Sequence, residues 1–290
     1  MQKPPRFTKV RRSGFSRMRR EGKMENLDQQ KEKYPVLAEK IVSMSDILIE
    51  VLDARFINET RNKGIEKKIQ ESGKKLLYVV NKSDLAISKE KVVKEMTFLF
   101  PRVFVSCKTR AGMGELRDKI KMLSKDVDVH VDKGRDRAVV GVIGYPNTGK
   151  SSIINLLIGR KSSGVGSEAG FTKGIIKLKL TSDVVILDSP GIIPKEEYSM
   201  SDSSIMSKHA KLSARSYSQV KDPAIAVAQL VKEFPGLLEE YYHIESNGDA
   251  EVLLETLGRK KGFLKKGNEI EEDKTARSIL KEWQEGKIKL

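Results

Sequence analysis

The chain has 290 residues, a mass of 32.6 kDa and a formal net charge of +15. This length allows roughly two domains with a buried core, and the basic excess favours a polyanionic partner. Nucleic acid is the first candidate and an anionic membrane surface is the rival. The only cysteine, Cys107, excludes an intrachain disulfide framework and a cysteine-rich zinc site. Apolar runs of about 18 residues are missing, so we expect no membrane span, no secretory signal and a cytoplasmic protein.

The first residues are predicted to form a basic arm, which we assign to 1–30. Residues 1–24 hold nine Lys or Arg residues and one glutamate, with prolines and glycines that disfavour a long packed helix. Phe7 and Phe15 offer rings for stacking on bases. A solvated tail without a partner is the alternative.

Strand and helix patterns alternate along the next part of the chain, which we assign to one domain at 31–205. Helices are predicted over 89–100, with Ser88 as the cap, over 114–124, and directly after residue 150. Short apolar strands are predicted at 47–52, 76–80, 103–105, 139–144, 175–180 and 184–188. This alternation indicates an α/β fold, with a mostly parallel sheet and helices on both faces.

The remaining residues, 206–290, are predicted to form an all-helical domain. Asp222 and Pro223 form a helix start, and apolar residues follow at helical spacing up to Phe234. A second helix is expected to begin at Asp273. The basic segment 258–267 is predicted to be a loop between helices, and both an exposed turn and an RNA contact fit it.

A phosphate-binding loop is predicted at GYPNTGKS, residues 144–151, between an apolar strand and a helix. Its glycines allow the backbone to fold tightly, so that amide N–H groups and the helix N-terminus face an anion. Lys150 is expected to reach the β- and γ-phosphates and Ser151 to bind Mg²⁺. The predicted phosphate contacts are Asn147, Thr148, Gly149, Lys150, Ser151, Ser152, Asp188 and Gly191.

The segment Asp188-Ser-Pro-Gly191 ends the last predicted strand. We expect Asp188 to hold Mg²⁺ through water and the Gly191 amide to sense the γ-phosphate, which makes the following segment a switch. A second switch needs a threonine that contacts the metal. Thr172 is our choice, Ser167 is the alternative, and an ordinary loop residue remains possible.

A guanine-reading motif is predicted at Asn81-Lys82-Ser83-Asp84, directly after a buried strand. The Asp84 carboxylate can accept hydrogen bonds from the ring N–H and amine of guanine, and adenine lacks those donors. Asn81 is expected to fix the loop and the base, and the Lys82 stem to cover the face of the base. Standing alone, the motif would fit an exposed turn.

A further base contact is predicted at Ser106-Cys107-Lys108, which follows the next strand. Its backbone N–H groups are expected to meet the guanine oxygen. Cys107 is interpreted as a small half-buried residue without redox chemistry.

The guanine motif precedes the phosphate loop, which is the reverse of the order in an ordinary GTPase. The chain resembles the circularly permuted GTPases of the YlqF/RbgA group, related to the nucleostemin-type ribosome assembly GTPases. The motifs that carry the resemblance are VLDAR, NKSDL, GYPNTGKSS, GFTKG and LDSPGI, with a similar helical C-terminal region. The resemblance implies GTP hydrolysis coupled to assembly of the large ribosomal subunit, with rRNA as the surface contacted.

Hydrolysis without help is expected to be slow. Many GTPases place a water-orienting Gln just after the DxxG motif, where this chain has Ile192. Asn147 occupies the position that helps bind a monovalent cation in related potassium-activated GTPases, so we expect K⁺, together with Mg²⁺, to support catalysis through Lys150, Asn147, Thr172 and Gly191. The alternative for Asn147 is a simple turn residue. His130, His209 and His243 are assigned no catalytic role, although some relatives use a histidine.

The function expected is a monomeric, ribosome-associated GTPase that acts on the large subunit through rRNA. A small-subunit assembly GTPase is the alternative, although one cysteine and a short N-terminus do not fit the zinc site and barrel of those proteins. A membrane-surface signalling GTPase lacks a lipidation motif here. A nucleotide-binding scaffold without turnover also stays open because of Ile192.

Overall fold

The computed structural model describes residues 27–86, 94, 97, 99–127, 136–159, 175–194, 208–212 and 216–290. Its strands are β1 (Ile47–Asp53), β2 (Lys75–Asn81), β3 (Arg102–Phe104), β4 (Ala138–Gly144), β5 (Ile176–Lys179) and β6 (Val184–Asp188). The helices before β6 are α1 (Leu27–Met44), α2 (Ile57–Thr60), α3 (Lys63–Glu71), α4 (Met113–Lys125) and α5 (Lys150–Ile158). The later helices are α6 (Pro223–Glu233), α7 (Leu237–Tyr242), α8 (Ala250–Lys260) and α9 (Glu272–Gln284), with a 3₁₀ turn at Tyr217–Gln219.

One six-stranded sheet forms the centre of the fold, in the order β3-β2-β1-β4-β6-β5. All neighbouring strands are parallel except β5 and β6, which are antiparallel. Every residue of β1 and β4 is buried, because these central strands are covered on both faces. The predicted α/β class with a mostly parallel sheet is confirmed.

Helices cover the two faces of the sheet, as the sequence predicts. Helices α4 and α5 contribute Leu116, Ile120 and Ile153 to the core on one face. Helices α1 and α3 contribute Ile41 and Ile69 to the core on the other face.

The C-terminal helices form a further core that includes residues of the sheet region. Trp283 of α9 is fully buried there, and Phe56 and Tyr145 belong to the same cluster. Tyr145 lies directly after β4, and Phe56 follows β1. The helical region therefore packs directly against the loops that leave the sheet.

Two expected boundaries differ from the structure. Helix α1 begins at Leu27, so residues 27–30, assigned above to the basic arm, are helical. Residues 258–260 belong to α8 rather than to the basic loop, since α8 continues to Lys260. The predicted helix at 89–100 and the division between 205 and 206 lie largely or wholly outside the described residues. Among the helices described, none has the length and apolar character needed to cross a membrane.

Candidate guanine-nucleotide site

The motifs predicted from sequence meet at one edge of the sheet. Because β1, β2, β3, β4 and β6 run parallel, the loops that leave their carboxyl ends emerge together. The chain order reverses between β1 and β4, which are neighbours in the sheet. Ligands of open α/β sheets bind at such a switch point.

Asn81 connects three of these loops. Its Nδ2 donates a hydrogen bond of 2.7 Å to the carbonyl oxygen of Thr148 in the phosphate loop. Its Oδ1 accepts a bond of 3.3 Å from the backbone N–H of Cys107. Asn81 is buried, so these bonds are shielded from water. The side chain therefore holds the guanine motif, the phosphate loop and the Cys107 loop in one arrangement.

A buried ion-pair cluster underlies the guanine motif. Asp53 lies 2.8 Å from Lys82 Nζ and 2.9 Å from Arg55 Nη2. Burial alone would raise the pKa of Asp53, but the charges and hydrogen bonds of Arg55 and Lys82 outweigh it and lower the pKa to about 2. Lys82 also has a φ of +60°. The structure thus directs the Lys82 ammonium to Asp53, which fixes the stem that was predicted to cover the base.

The glycines of the phosphate loop are required by close backbone packing. Gly144 has a φ of +147°, and a Cβ there would lie 2.5 Å from the carbonyl oxygen of Val51. Gly149 has a φ of +102°, and a Cβ there would lie 2.1 Å from Nδ2 of Asn81. Both positions therefore need glycine for conformation as well as for space.

Lys150 begins α5 and folds back over the phosphate loop. Its Nζ donates to the carbonyl oxygens of Gly144, at 3.0 Å, and Tyr145, at 2.8 Å. Burial lowers the pKa of Lys150 to about 8, and the charge of Asp188 opposes this shift. The Lys150 ammonium thus lies inside the phosphate loop, where the phosphates of a nucleotide are expected to bind.

Asp188 and Ser151 meet where the metal is expected. The Ser151 hydroxyl lies 3.4 Å from Asp188 Oδ2. Asp188 Oδ1 is buried and has no hydrogen-bond partner among the described residues. Burial raises the pKa of Asp188, and Lys150 opposes this. A hydroxyl and a carboxylate with one unsatisfied oxygen suit a hard cation such as Mg²⁺, which P-loop GTPases generally use.

The segment after Asp188 packs closely on the phosphate loop. A Cβ on Gly191 would lie 2.6 Å from the Cα of Pro146. The Ile192 N–H donates to the Gly144 carbonyl oxygen at 3.0 Å, and its side chain is buried in the same core cluster as Ile143. Ile192 is therefore a core residue, and its apolar side chain has no group that could orient an attacking water. Ile193 packs instead against the C-terminal core.

A cleft of about 450 Å³ lies beside these loops. Its walls include the predicted residues Asn81, Lys82, Asp84, Cys107, Lys108, Asn147, Gly149 and Ser152. Ser106 is buried behind the wall, where its hydroxyl accepts from the backbone N–H of Thr109. Burial raises the pKa of the half-buried Cys107 thiol, and the hydrogen bond with Asn81 opposes this rise.

Some of the residues considered for cation binding and catalysis lie within the described part of the chain, and others lie outside it. Asn147 is exposed at the cleft and adopts the left-handed conformation, with a φ of +58°. Thr172 and Ser167 lie outside the described residues, and so does His130. His209 is buried beside Tyr145, with ring centroids 6.2 Å apart, and His243 ends α7.

Sequence reasoning missed two groups at this site. Asp53 and Arg55 were noted only as part of a family motif, although charged residues directly after a buried strand are a usable signal. The cleft is also lined by residues from the C-terminal region, namely Ser216, Tyr217, Lys281, Gln284 and Glu285. No local pattern marks these, because their position depends on how the helical region packs.

The sequence comparisons agree with this arrangement. A family described as "50S ribosome-binding GTPase" matches residues 139–254. The "Uncharacterized GTP-binding protein MJ1464" of Methanocaldococcus jannaschii is 37% identical over 260 residues, which cover 88% of this chain and 66% of that protein. "Nucleolar GTP-binding protein 2" of Saccharomyces cerevisiae is 33% identical over 255 residues, covering 86% and 51%. The chain spans about half to two thirds of the length of these curated relatives.

A solved structure shows the same fold. GNP-bound YlqF from T. maritima superposes with a TM-score of 0.60 at 24% identity, covering 89% of this chain and 95% of that one. With the motif order and the sheet order, this defines a circularly permuted P-loop GTPase. Its solved structural neighbours are YlqF proteins, and its sequence relatives include the nucleostemin-like protein NSN1 of Arabidopsis thaliana. The recognition made from the sequence motifs is confirmed.

Proposed function

We propose that this protein binds and hydrolyses GTP and uses that cycle in assembly of the large ribosomal subunit, through contacts with rRNA. One observation carries the nucleotide part of the proposal. Asn81 is hydrogen-bonded to the phosphate loop and to Cys107, so one side chain fixes the loops for both ends of a guanine nucleotide relative to each other. The printed names of the matching family and of the nucleolar relatives support the ribosomal part.

We assign the site residues the roles that their motifs predict. Asp84 accepts from the guanine N–H groups, with the 106–108 loop at the base oxygen. The phosphate-loop amides and Lys150 bind the phosphates, and Thr172 and Gly191 respond to the γ-phosphate. Ser151 and Thr172, and Asp188 through water, would hold Mg²⁺, which would supply charge stabilisation at the phosphates.

The guanine assignment is tested with Asp84→Asn. Loss of the carboxylate is expected to weaken GTP binding by at least about ten-fold and to relax rejection of xanthosine triphosphate, because the amide can donate to the xanthine oxygen. Asp118→Asn, on the exposed face of α4, is the matched control. Calorimetric titration with both nucleotides gives the measurement, and unchanged guanine selectivity would refute the base contact.

Potassium is proposed to bind at Asn147 and to supply charge near the β- and γ-phosphates that Ile192 cannot supply. The exposed left-handed Asn147 at the cleft wall supports this. The hydrolysis rate is expected to be higher in K⁺ than in Na⁺, and Asn147→Ala is expected to remove the difference. Equal rates of the wild type in the two salts would remove potassium from the proposal.

The rRNA contact is proposed to involve the basic turn after α8. The side chains of Lys265 and Lys266 are exposed and form no ion pair within the described part of the chain. Replacing both with Glu is expected to weaken binding to large subunits by about ten-fold or more and to reduce its salt dependence. The matched control replaces the exposed Lys121 and Lys125 on α4 with Glu. An equal loss in both variants would indicate a general charge effect.

The switch is proposed to act on the helical region through the chain itself. Neighbouring residues face different cores, with Ile192 in the core of the sheet and Ile193 against the C-terminal core. Movement of Gly191 towards a γ-phosphate would therefore shift a residue that packs on the helices. A flexible insert after Ile193 is expected to uncouple the GTP state from ribosome affinity while nucleotide binding stays intact. Retained coupling in that variant would exclude this route.

The choice of subunit is decided by GTPase assays with each purified subunit, on the proposed monomeric, cytoplasmic protein. Stimulation by the large subunit is expected. Stimulation only by the small subunit would favour the alternative assembly role, and flotation with anionic liposomes in preference to co-sedimentation with ribosomes would favour the membrane-surface alternative. Absence of single-turnover hydrolysis on saturating subunits would indicate a scaffold.

A further inference from the structure

The guanine side of the cleft has a second wall that belongs to the C-terminal region. The 3₁₀ turn and the residue before it contribute Tyr217 and Ser216, and the end of α9 with the residue after it contributes Lys281, Gln284 and Glu285. The facing wall carries Lys82 and Asp84. The cleft thus lies between the base-reading loop and the last helix of the protein.

Hydrogen bonds join the two parts of the second wall to each other. The Tyr217 N–H donates to Gln284 Oε1 at 3.0 Å, and Arg277 Nη1 donates to the Tyr217 carbonyl oxygen at 2.7 Å. Arg277 is itself held by Asp273, one turn earlier on α9, with bonds of 2.6 and 3.0 Å. Both backbone polar groups of Tyr217 are therefore bonded to α9, and the turn and the helix form one unit.

That unit is fastened to the base-reading half independently of the switch segment. Gly286, just past α9, has a φ of +68°, and a Cβ there would lie 2.6 Å from Cδ1 of Leu85, the residue after Asp84. Arg55 Nη1 donates to the Trp283 carbonyl oxygen at 3.5 Å. The Arg55 guanidinium also lies 5.8 Å from the centre of the Trp283 ring system. The end of α9 and the guanine loop thus share direct contacts.

We propose that Tyr217 and Lys281 are nucleotide-binding residues, and that the end of α9 contacts the base and ribose of bound GDP and GTP alike. The Tyr217 ring offers an apolar surface to the base or sugar. The Lys281 ammonium lies 6.0 Å from that ring and 3.9 Å from Glu285, and it offers donors to ribose oxygens. The proposal rests on the guanine assignment made above.

The contact between the end of α9 and the nucleotide would couple nucleotide binding to the helical region. The γ-phosphate route through Gly191 distinguishes GTP from GDP. A contact at the base end is made in either state, so it reports whether the site is occupied at all. Nucleotide binding would then stabilise the contact between the end of α9 and the guanine loop in both states, whereas the γ-phosphate route acts only in the GTP state.

Calorimetric titration of Tyr217→Ala and Lys281→Ala with unlabelled GDP and a non-hydrolysable GTP analogue tests the proposal. Each variant is expected to bind both nucleotides roughly five- to ten-fold more weakly, with the same factor for each, since the contact does not involve the γ-phosphate. Tyr217→Phe retains the ring and is expected to keep wild-type affinity. Lys274→Ala is the control, because Lys274 is exposed on the same helix outside the cleft and pairs with Glu271.

Hydrogen exchange gives an independent reading on the intact wild-type protein. GDP is expected to slow amide exchange in 217–219 and 281–286, whereas ADP is expected to leave it unchanged. Affinities within two-fold of wild type for both alanine variants, or unchanged exchange in these segments, would overturn the proposal. If Asp84→Asn alters guanine selectivity and the alanine variants change nothing, only this inference fails. If Asp84→Asn also changes nothing, the guanine assignment itself fails.

Discussion

The replacement Asp53→Asn tests the buried cluster beneath the guanine motif. The Arg55 side chain is fully buried, and Lys82 is 20% exposed. Removal of the carboxylate charge leaves both cations without their counter-ion. Breaking a buried pair in this way costs about 3–5 kcal/mol of unfolding free energy. Because Lys82 is also released, guanine-nucleotide affinity is expected to fall as well.

The pH dependence of this effect follows from the lowered pKa. The pKa of Asp53 is about 2 in the folded protein against an ordinary value of 3.8. Ionised Asp53 therefore contributes about 2 kcal/mol of stability above pH 4, and this contribution is lost as the pH falls towards 2. The difference in stability between wild type and Asp53→Asn is expected to narrow over the same range.

Urea unfolding followed by fluorescence suits this test, since Trp283 is the only tryptophan and contacts Arg55. The control is Asp126→Asn. Its carboxylate pairs with Lys75 at a similar distance of 2.9 Å but is 67% exposed, so the expected cost is below about 1 kcal/mol. If both variants lost the same unfolding free energy, burial would not be the reason that the Asp53 cluster stabilises the protein.

Three further predictions concern glycines. Gly149→Ala is expected to abolish measurable GTP binding in calorimetric titration, because its Cβ would displace Asn81 from the phosphate loop; retained affinity would refute the role of that link. Gly141→Ala is expected to destabilise the protein by about 1–3 kcal/mol, since its Cβ would lie 2.3 Å from the Ser45 hydroxyl inside the core. Gly114→Ala, at an open helical position, is expected to be neutral or stabilising by up to about 1 kcal/mol, and urea unfolding measures both this variant and Gly141→Ala.

The sequence alone determined the elements and the class of the site. Strand and helix periodicity are local properties, so the six strands and two of the C-terminal helices, α6 and α9, were predicted close to their observed positions. The phosphate and guanine motifs are also local, because each needs particular residue types at fixed spacing beside a strand. The parallel order of the strands then requires these loops to emerge at one edge, which the structure confirms.

Only the tertiary structure decided how these local motifs are joined. Asn81 was predicted as a base contact, yet its two bonds to Thr148 and Cys107 become visible only when three distant loops meet. Ile192 was interpreted as a missing catalytic group, and burial shows that it is a core residue. Tyr217 and Lys281 carry no sequence signal. Their place at the cleft depends on packing between the helical region and the sheet, and non-local packing leaves no periodic pattern in the chain.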